Sequence, residues 1–143
     1  MATSAPVRPG TGTAPSGAAT AQRVLLGLAA LAVLLQGLWA GIFLRYDGKR
    51  DDAESWINVH ATGGEVAIAL TALAAIIGFW KLRERKDLWG GSAALTVLLV
   101  LESYLGGLIK DNGKDQLTAV HVPLAMALMG LSVWLVVRVR QRA

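Results

Sequence analysis

No cysteine occurs among the 143 residues. That absence excludes disulfides, zinc–thiolate sites, iron–sulfur clusters and covalent attachment of a c-type haem. Charge is scarce as well: 17% of residues are Asp, Glu, Lys or Arg, against 54% hydrophobic, with a mean hydropathy of +0.48. A soluble domain of this length is usually more polar, so the composition points to a membrane protein. The patterns G-x-x-x-x-G-K-[ST], G-x-S-x-G and H-E-x-x-H are all missing, which disfavours a P-loop nucleotide site and a hydrolase. The apolar runs do not alternate with polar residues, which excludes a lipid-facing β-barrel. Histidine is nearly absent too, with only His60 and His121.

What is present is four long apolar runs. Residues 1–22, mostly Ala, Thr, Ser, Gly and Pro with one Arg, are expected to form a disordered tail. The run VLLGLAALAVLLQGLWAGIFL at 24–44 carries no charge over 21 residues, enough to cross a hydrocarbon core of about 30 Å. It is too long for the apolar core of a cleaved signal peptide, about 7–15 residues, so we read it as a retained helix. Further spans are expected at about 58–80, 88–109 and 117–137. A turn is expected at Gly48, and a hairpin tip at Asn112-Gly113. The expected fold is therefore an all-α, integral-membrane, up-down four-helix bundle over 23–143.

The basic residues give this bundle a direction. Arg8, Arg23, Lys81, Arg83, Arg85, Lys86, Arg138, Arg140 and Arg142 share one side if four helices alternate. Arg45, Lys49, Arg50, Lys110 and Lys114 lie on the other, diluted by Asp47, Asp51, Asp52, Glu54, Asp111 and Asp115. The positive-inside rule then puts both termini in the cytoplasm and both histidines near the outer face. The same reading accounts for the net charge of +4 without a nucleic-acid partner. Membrane lipid is the expected surrounding.

Counted from the expected helix starts, His60 and His121 lie roughly 3 and 6 Å deep at 1.5 Å per residue. In an up-down bundle the second and fourth helices sit diagonally across the core, a usual place for cofactor sites. Two facing imidazoles suit the axial positions of one b-type haem. Gly63 and Gly64 follow His60 by three and four residues, and Ala125 follows His121 by four. Those positions stack one turn deeper on the histidine's face, where a flat macrocycle needs short side chains. Gly106 and Gly107 could let a helix approach closely. The plainer alternative is that both histidines are satisfied interfacial residues and that the small residues serve helix packing.

A second layer is expected roughly 10–12 Å inside, formed by Gln36, Glu65 and Glu102. Intramembrane acids are functional candidates by default, as proton relays, cofactor contacts or metal ligands. The alternative is that they are protonated or paired and hold helices together. Arg45 and Arg50, with Lys49, Lys110 and Lys114, are the cations placed to steady outward-facing propionates.

ESYLGGLIKDNGKDQLTAVHVPLAMAL together with INVHATGGEVAIAL resembles one four-helix half of the haem A synthase family, and small bacterial four-helix membrane proteins of similar layout. That family's third helix carries Gln-x-x-Leu-Gly-Gly, which Glu102, Leu105, Gly106 and Gly107 resemble, with Glu in place of Gln. Its fourth helix carries His-x-x-x-Ala, as do His121 and Ala125. The family's Glu-x-x-His-Arg pattern is not intact, since Ile57, Asn58, Val59, His60 and Ala61 stand there, without the acid or the Arg. The resemblance therefore implies haem binding without the oxidation chemistry, and no catalytic residue is assigned.

The expectation is a membrane cytochrome-like protein with His60 and His121 as iron ligands. Gly64 and Ala125 would make room, and Gln36, Glu102, Arg45 and Arg50 would surround one haem b. Its role would be electron transfer or haem handling, beside a respiratory or redox membrane complex. The rival readings are a non-haem accessory subunit and a small proton or metal transporter using Glu65, Glu102 and the histidines.

Overall fold

The computed structural model describes residues 16–46 and 49–141, leaving aside the side chain of Arg50. The expected tail up to residue 15 and the turn at Gly48 lie outside the described residues. Four helices account for nearly all of the rest: α1 Gly17–Leu44, α2 Arg50–Lys81, α3 Lys86–Asn112 and α4 Thr118–Arg140. A single 3-10 turn, Asp115–Leu117, precedes α4. Each helix is long and apolar enough to cross a membrane.

The helix boundaries differ most from the apolar runs at the starts of α1 and α2. α1 begins at Gly17, with Ser16 Oγ accepting from Ala19 N at 3.3 Å as its N-cap. Residues 17–22, expected in the tail, are thus helical. α2 begins at Arg50, eight residues before the expected 58, with Asp51 and Asp52 in its first turn. Carboxylates there favour the partial positive charge of a helix N-terminus. Polar residues 50–57 propagate as helix because nothing in them breaks it. The other hairpin matches its expectation. Gly113 sits at φ 64° and ends α3, a left-handed conformation that glycine adopts without Cβ strain. Lys114 N then donates to Leu108 O at 3.2 Å.

Helix α1 packs on α2 and α4, and α3 packs on α2 and α4; among the described residues the backbones of α1 and α3, and of α2 and α4, do not approach each other closely. The ring is therefore in chain order, with α2 and α4 on one diagonal, as the up-down expectation requires. The cause lies in a spacing of alternating threes and fours. Buried positions run Leu88, Ser92, Leu95, Leu99, Glu102 on α3 and Leu128, Ser132, Leu135, Val139 on α4. Gln22, Leu26, Ala29 and Val33 repeat the spacing on α1, and Ala67, Thr71 and Ala74 repeat it on α2. This is the heptad seam of antiparallel helices packed knobs into holes.

Polar seam residues satisfy themselves locally. Thr71, Ser92 and Ser132 each donate to the carbonyl four residues back, at 3.0, 2.7 and 2.8 Å. Such back-bonding lets a hydroxyl sit in an apolar interior. The outer faces invert the soluble pattern: Leu31, Leu34, Val66, Leu73, Val97, Met126 and Val137 are all exposed. In a bilayer these side chains meet lipid, where apolar surface carries no hydration cost.

At one end the bundle is pinned by charge. Asp87, at the start of α3, meets Arg85 Nε at 3.3 Å and Arg138 Nε of α4 at 2.9 Å. Arg85 also donates to Arg138 O at 3.2 Å. This cluster ties the first turn of α3 to the last turns of α4.

Candidate functional site

Extending the seams toward the other end leads to the site. Continuing the three-four spacing carries α1 from Val33 to Gln36, α2 back from Ala67 to Gly64 and His60, and α4 back from Leu128 to Ala125 and His121. On α3 the same rule gives Glu102 and Gly106. Gln36, His60, Glu102 and His121 therefore form one layer of the bundle core, contributed by all four helices.

His60 and His121 lie across the diagonal with ring centroids 6.4 Å apart and planes at 70°. Phe43 of α1 closes against His60 edge-on, with centroids 5.5 Å apart. Each imidazole also turns its Nδ1 toward the neighbouring helix of its own hairpin. His60 Nδ1 lies 3.2 Å from the backbone oxygen of Gln36. His121 Nδ1 lies 3.1 Å from Glu102 Oε1.

The Gln36 amide completes the first pair. In the orientation that satisfies both of its ends, its nitrogen donates to His60 O at 2.7 Å and lies 3.1 Å from His60 Nδ1. Its oxygen accepts from Gly64 N at 3.2 Å. The amide thus sits on the helical hydrogen bond between residues 60 and 64. Only a helix face without side chains admits it. A Cβ on Gly63 would collide with the Trp39 ring and the Gln36 amide, whereas one on Gly64 would stand 3.9 Å from Gln36 Oε1. Gly63 thus serves the α1–α2 approach, and the space beside it expected for a macrocycle is filled by Trp39. On the other hairpin, a Cβ on Gly106 would lie 3.3 Å from His121 Cε1.

Glu102 is 8% exposed. Its contact with His121 has ion-pair distance but lacks hydrogen-bond alignment, so neither carboxylate oxygen nor His121 Nδ1 has a hydrogen-bond partner among the described residues. Buried acceptors of this kind are costly unless a proton is shared. The Glu102–His121 pair is therefore the most polar, least satisfied point of the layer.

The expected two layers are one. Gln36 and Glu102 touch the histidines instead of lying beneath them. Glu65 is exposed on the outer face of α2, five residues and about 140° from His60, and takes no part in the layer. Among the described residues no group of three or more His, Asp or Glu side chains gathers as a metal cage. Arg45 is exposed at the end of α1, its guanidinium 5.1 Å from the Tyr46 ring centre and 3.3 Å from the Tyr46 hydroxyl. Lys110 Nζ donates to Asn58 Oδ1 at 2.9 Å, joining α3 to α2 above the layer. The side chain of Arg50 lies outside the described ones.

Several contributors were missed in the sequence. Phe43 closes on His60, Trp39 fills the space beside Gly63, and Gln22 is fully buried, donating to Ala74 O at 3.4 Å. Asp87 pins the opposite end. The three-four spacing that runs through Gln22, Gln36, His60, Glu102 and His121 was the signal that could have found the core members.

No protein-family model, curated protein or solved structure matches the chain.

Proposed function

We propose that this protein is a multi-pass membrane haem protein in which His60 and His121 are the axial ligands of one b-type haem. The observation that carries this reading is the 6.4 Å centroid separation across the bundle diagonal. Two imidazoles sharing one metal ion through bonds of roughly 2.0 Å have ring centres about 6 Å apart. The orientation of the rings supports it too. Metal-binding histidines usually give their second nitrogen to a carbonyl or carboxylate, which fixes tautomer and ring direction. Gln36 O and Glu102 Oε1 are placed as such partners. For His121, the tautomer with the proton on Nδ1 leaves Nε2 as the ligand atom. Gly64 and Ala125 keep the next turn of each helix short-chained.

Bound there, a haem would supply a one-electron iron couple. The chain's own groups would hold it: two imidazoles at opposite helices, Gln36 and Glu102 orienting them, and apolar seams excluding water. Paired axial ligands leave no open iron position, which suits electron transfer or haem handling over oxygen activation. The positive-inside asymmetry supports an arrangement with both termini cytoplasmic and the histidine layer toward the outer face; a redox membrane complex would be the partner.

The test is a reduced-minus-oxidised absorption spectrum of protein purified from a haem-replete host. A b-type spectrum lost in both His60→Ala and His121→Ala, with helicity retained, is the expected result. A colourless wild type would overturn the reading. It would favour an accessory subunit in which Gln36–His60 and Glu102–His121 each tie one hairpin together.

A further inference from the structure

The end of the bundle away from the histidines carries a second feature, independent of the haem proposal. Between α2 and α3 runs an open groove of about 270 Å³, lined by Ala75, Ile76, Phe79, Trp80, Trp89 and Ala93. It exists because two alanines, Ala75 and Ala93, stand where neighbouring positions carry bulky side chains. Its aromatic rim is built, not incidental. A Cβ on Gly78 would lie 2.8 Å from Trp89 Cβ, so the glycine lets Trp89 close in. Trp89 then meets Phe79 edge-on, with centroids 5.4 Å apart at 84°.

At the mouth of this apolar slot stands a cation. The Arg83 guanidinium lies 5.5 Å from the Phe79 ring centre, a stacking that ties it to the aromatic rim of the groove. Arg83 forms no ion pair among the described residues. Asp87, a nearby carboxylate, is committed to Arg85 and Arg138. Lys81 and Lys86 are exposed on either side, with Glu84 the single opposing charge in the turn. An apolar slot with an aromatic rim and an uncommitted guanidinium at its opening matches an amphiphile with an acyl chain and an anionic head. Trp80 and Trp89 put that opening at the depth where headgroups begin. Basic pockets between transmembrane helices on the cytoplasmic side bind anionic lipid heads by the same logic.

We infer that the α2–α3 groove is a binding site for an anionic phospholipid, with one acyl chain along Ala75 and Ala93 and the phosphate at Arg83. The site reads headgroup charge through Arg83 and chain shape through the alanines. Its occupancy does not depend on any cofactor at the histidine layer.

The experiment is tryptophan quenching in phosphatidylcholine vesicles doped with dibrominated phosphatidylglycerol or, in parallel, dibrominated phosphatidylcholine. The wild type is expected to be quenched more by the anionic lipid, with a selectivity of roughly fivefold, the equivalent of the ~1 kcal/mol one basic side chain contributes near a membrane surface. Arg83→Gln removes the excess. Ala93→Leu, which fills the slot, removes it as well. Arg140→Gln, an equal loss of charge on α4 at the same end, leaves it intact. Equal quenching by the two lipids in the wild type would overturn the inference. So would an excess that survives Arg83→Gln or Ala93→Leu, or one that Arg140→Gln abolishes too.

Discussion

His121 Nδ1 and Glu102 Oε1 are 3.1 Å apart on neighbouring helices, while the matching pair, His60 and Gln36, meets through an uncharged carbonyl at 3.2 Å. The two hairpins thus repeat one arrangement with a change of charge: one imidazole rests on a neutral acceptor, the other on an acid. A carboxylate behind a ligand histidine raises its basicity, which favours the more positive state of a metal it holds.

Glu102→Gln keeps the shape and removes the acid. With haem bound, the reduction potential is expected to rise, on the order of 60 mV for a tenfold change in the one-electron equilibrium. Redox titration checks it. An unchanged potential would confine Glu102 to a packing role.

Gly63→Ala is expected to destabilise the bundle by about 1–3 kcal/mol, the usual cost of overpacking a close contact, because the new methyl would meet Trp39 and Gln36. Gly27 has nothing within 4 Å of a built Cβ, so Gly27→Ala is expected to be neutral or to gain up to about 1 kcal/mol of helix propensity. Detergent unfolding of the two variants in parallel measures the difference.

Asp87→Asn removes the acid shared by Arg85 and Arg138, whose side chains are only partly buried. The expected loss is about 0.5–1 kcal/mol, reduced by salt because the cluster is solvent-accessible. A double-mutant cycle with Arg138→Gln should show a coupling of similar size. A coupling of zero would mean that the clamp contributes nothing to holding α3 on α4.

The lack of cysteine makes topology directly measurable. Gln116→Cys, in the turn between α3 and α4, is expected to react with a membrane-impermeant maleimide added to intact cells. Gln141→Cys should react only after lysis. The reverse pattern would invert the orientation drawn from the basic residues.

Much of the fold was legible in the sequence because it depends on local chemistry. Uncharged runs of bilayer length can satisfy their backbone only as helices. Asn112-Gly113 marked the hairpin, and Gly113 takes the left-handed conformation there. The diagonal placement of the histidine-bearing helices also followed from four alternating spans.

The depth of the site was not legible from where the apolar runs began. His60 lies ten residues into α2, about 15 Å, and His121 three residues into α4, about 5 Å. They nevertheless share a layer, because α4 starts only after the Asp115–Leu117 turn has brought the chain back from the end of α3, ten residues past Glu102. A polar helical segment such as 50–57 leaves no mark in hydropathy. Its helicity is set by propagation from the span and by Asp51 and Asp52 at its start.

What the sequence by itself determined is the set of four helices and which residues each carries, since backbone satisfaction and side-chain polarity act within one segment. The tertiary structure decided which of those residues share a layer. Gln36, His60, Glu102 and His121 converge, and Glu65 does not, because interhelical packing selects the three-four seam that faces the axis and turns every other position outward to lipid.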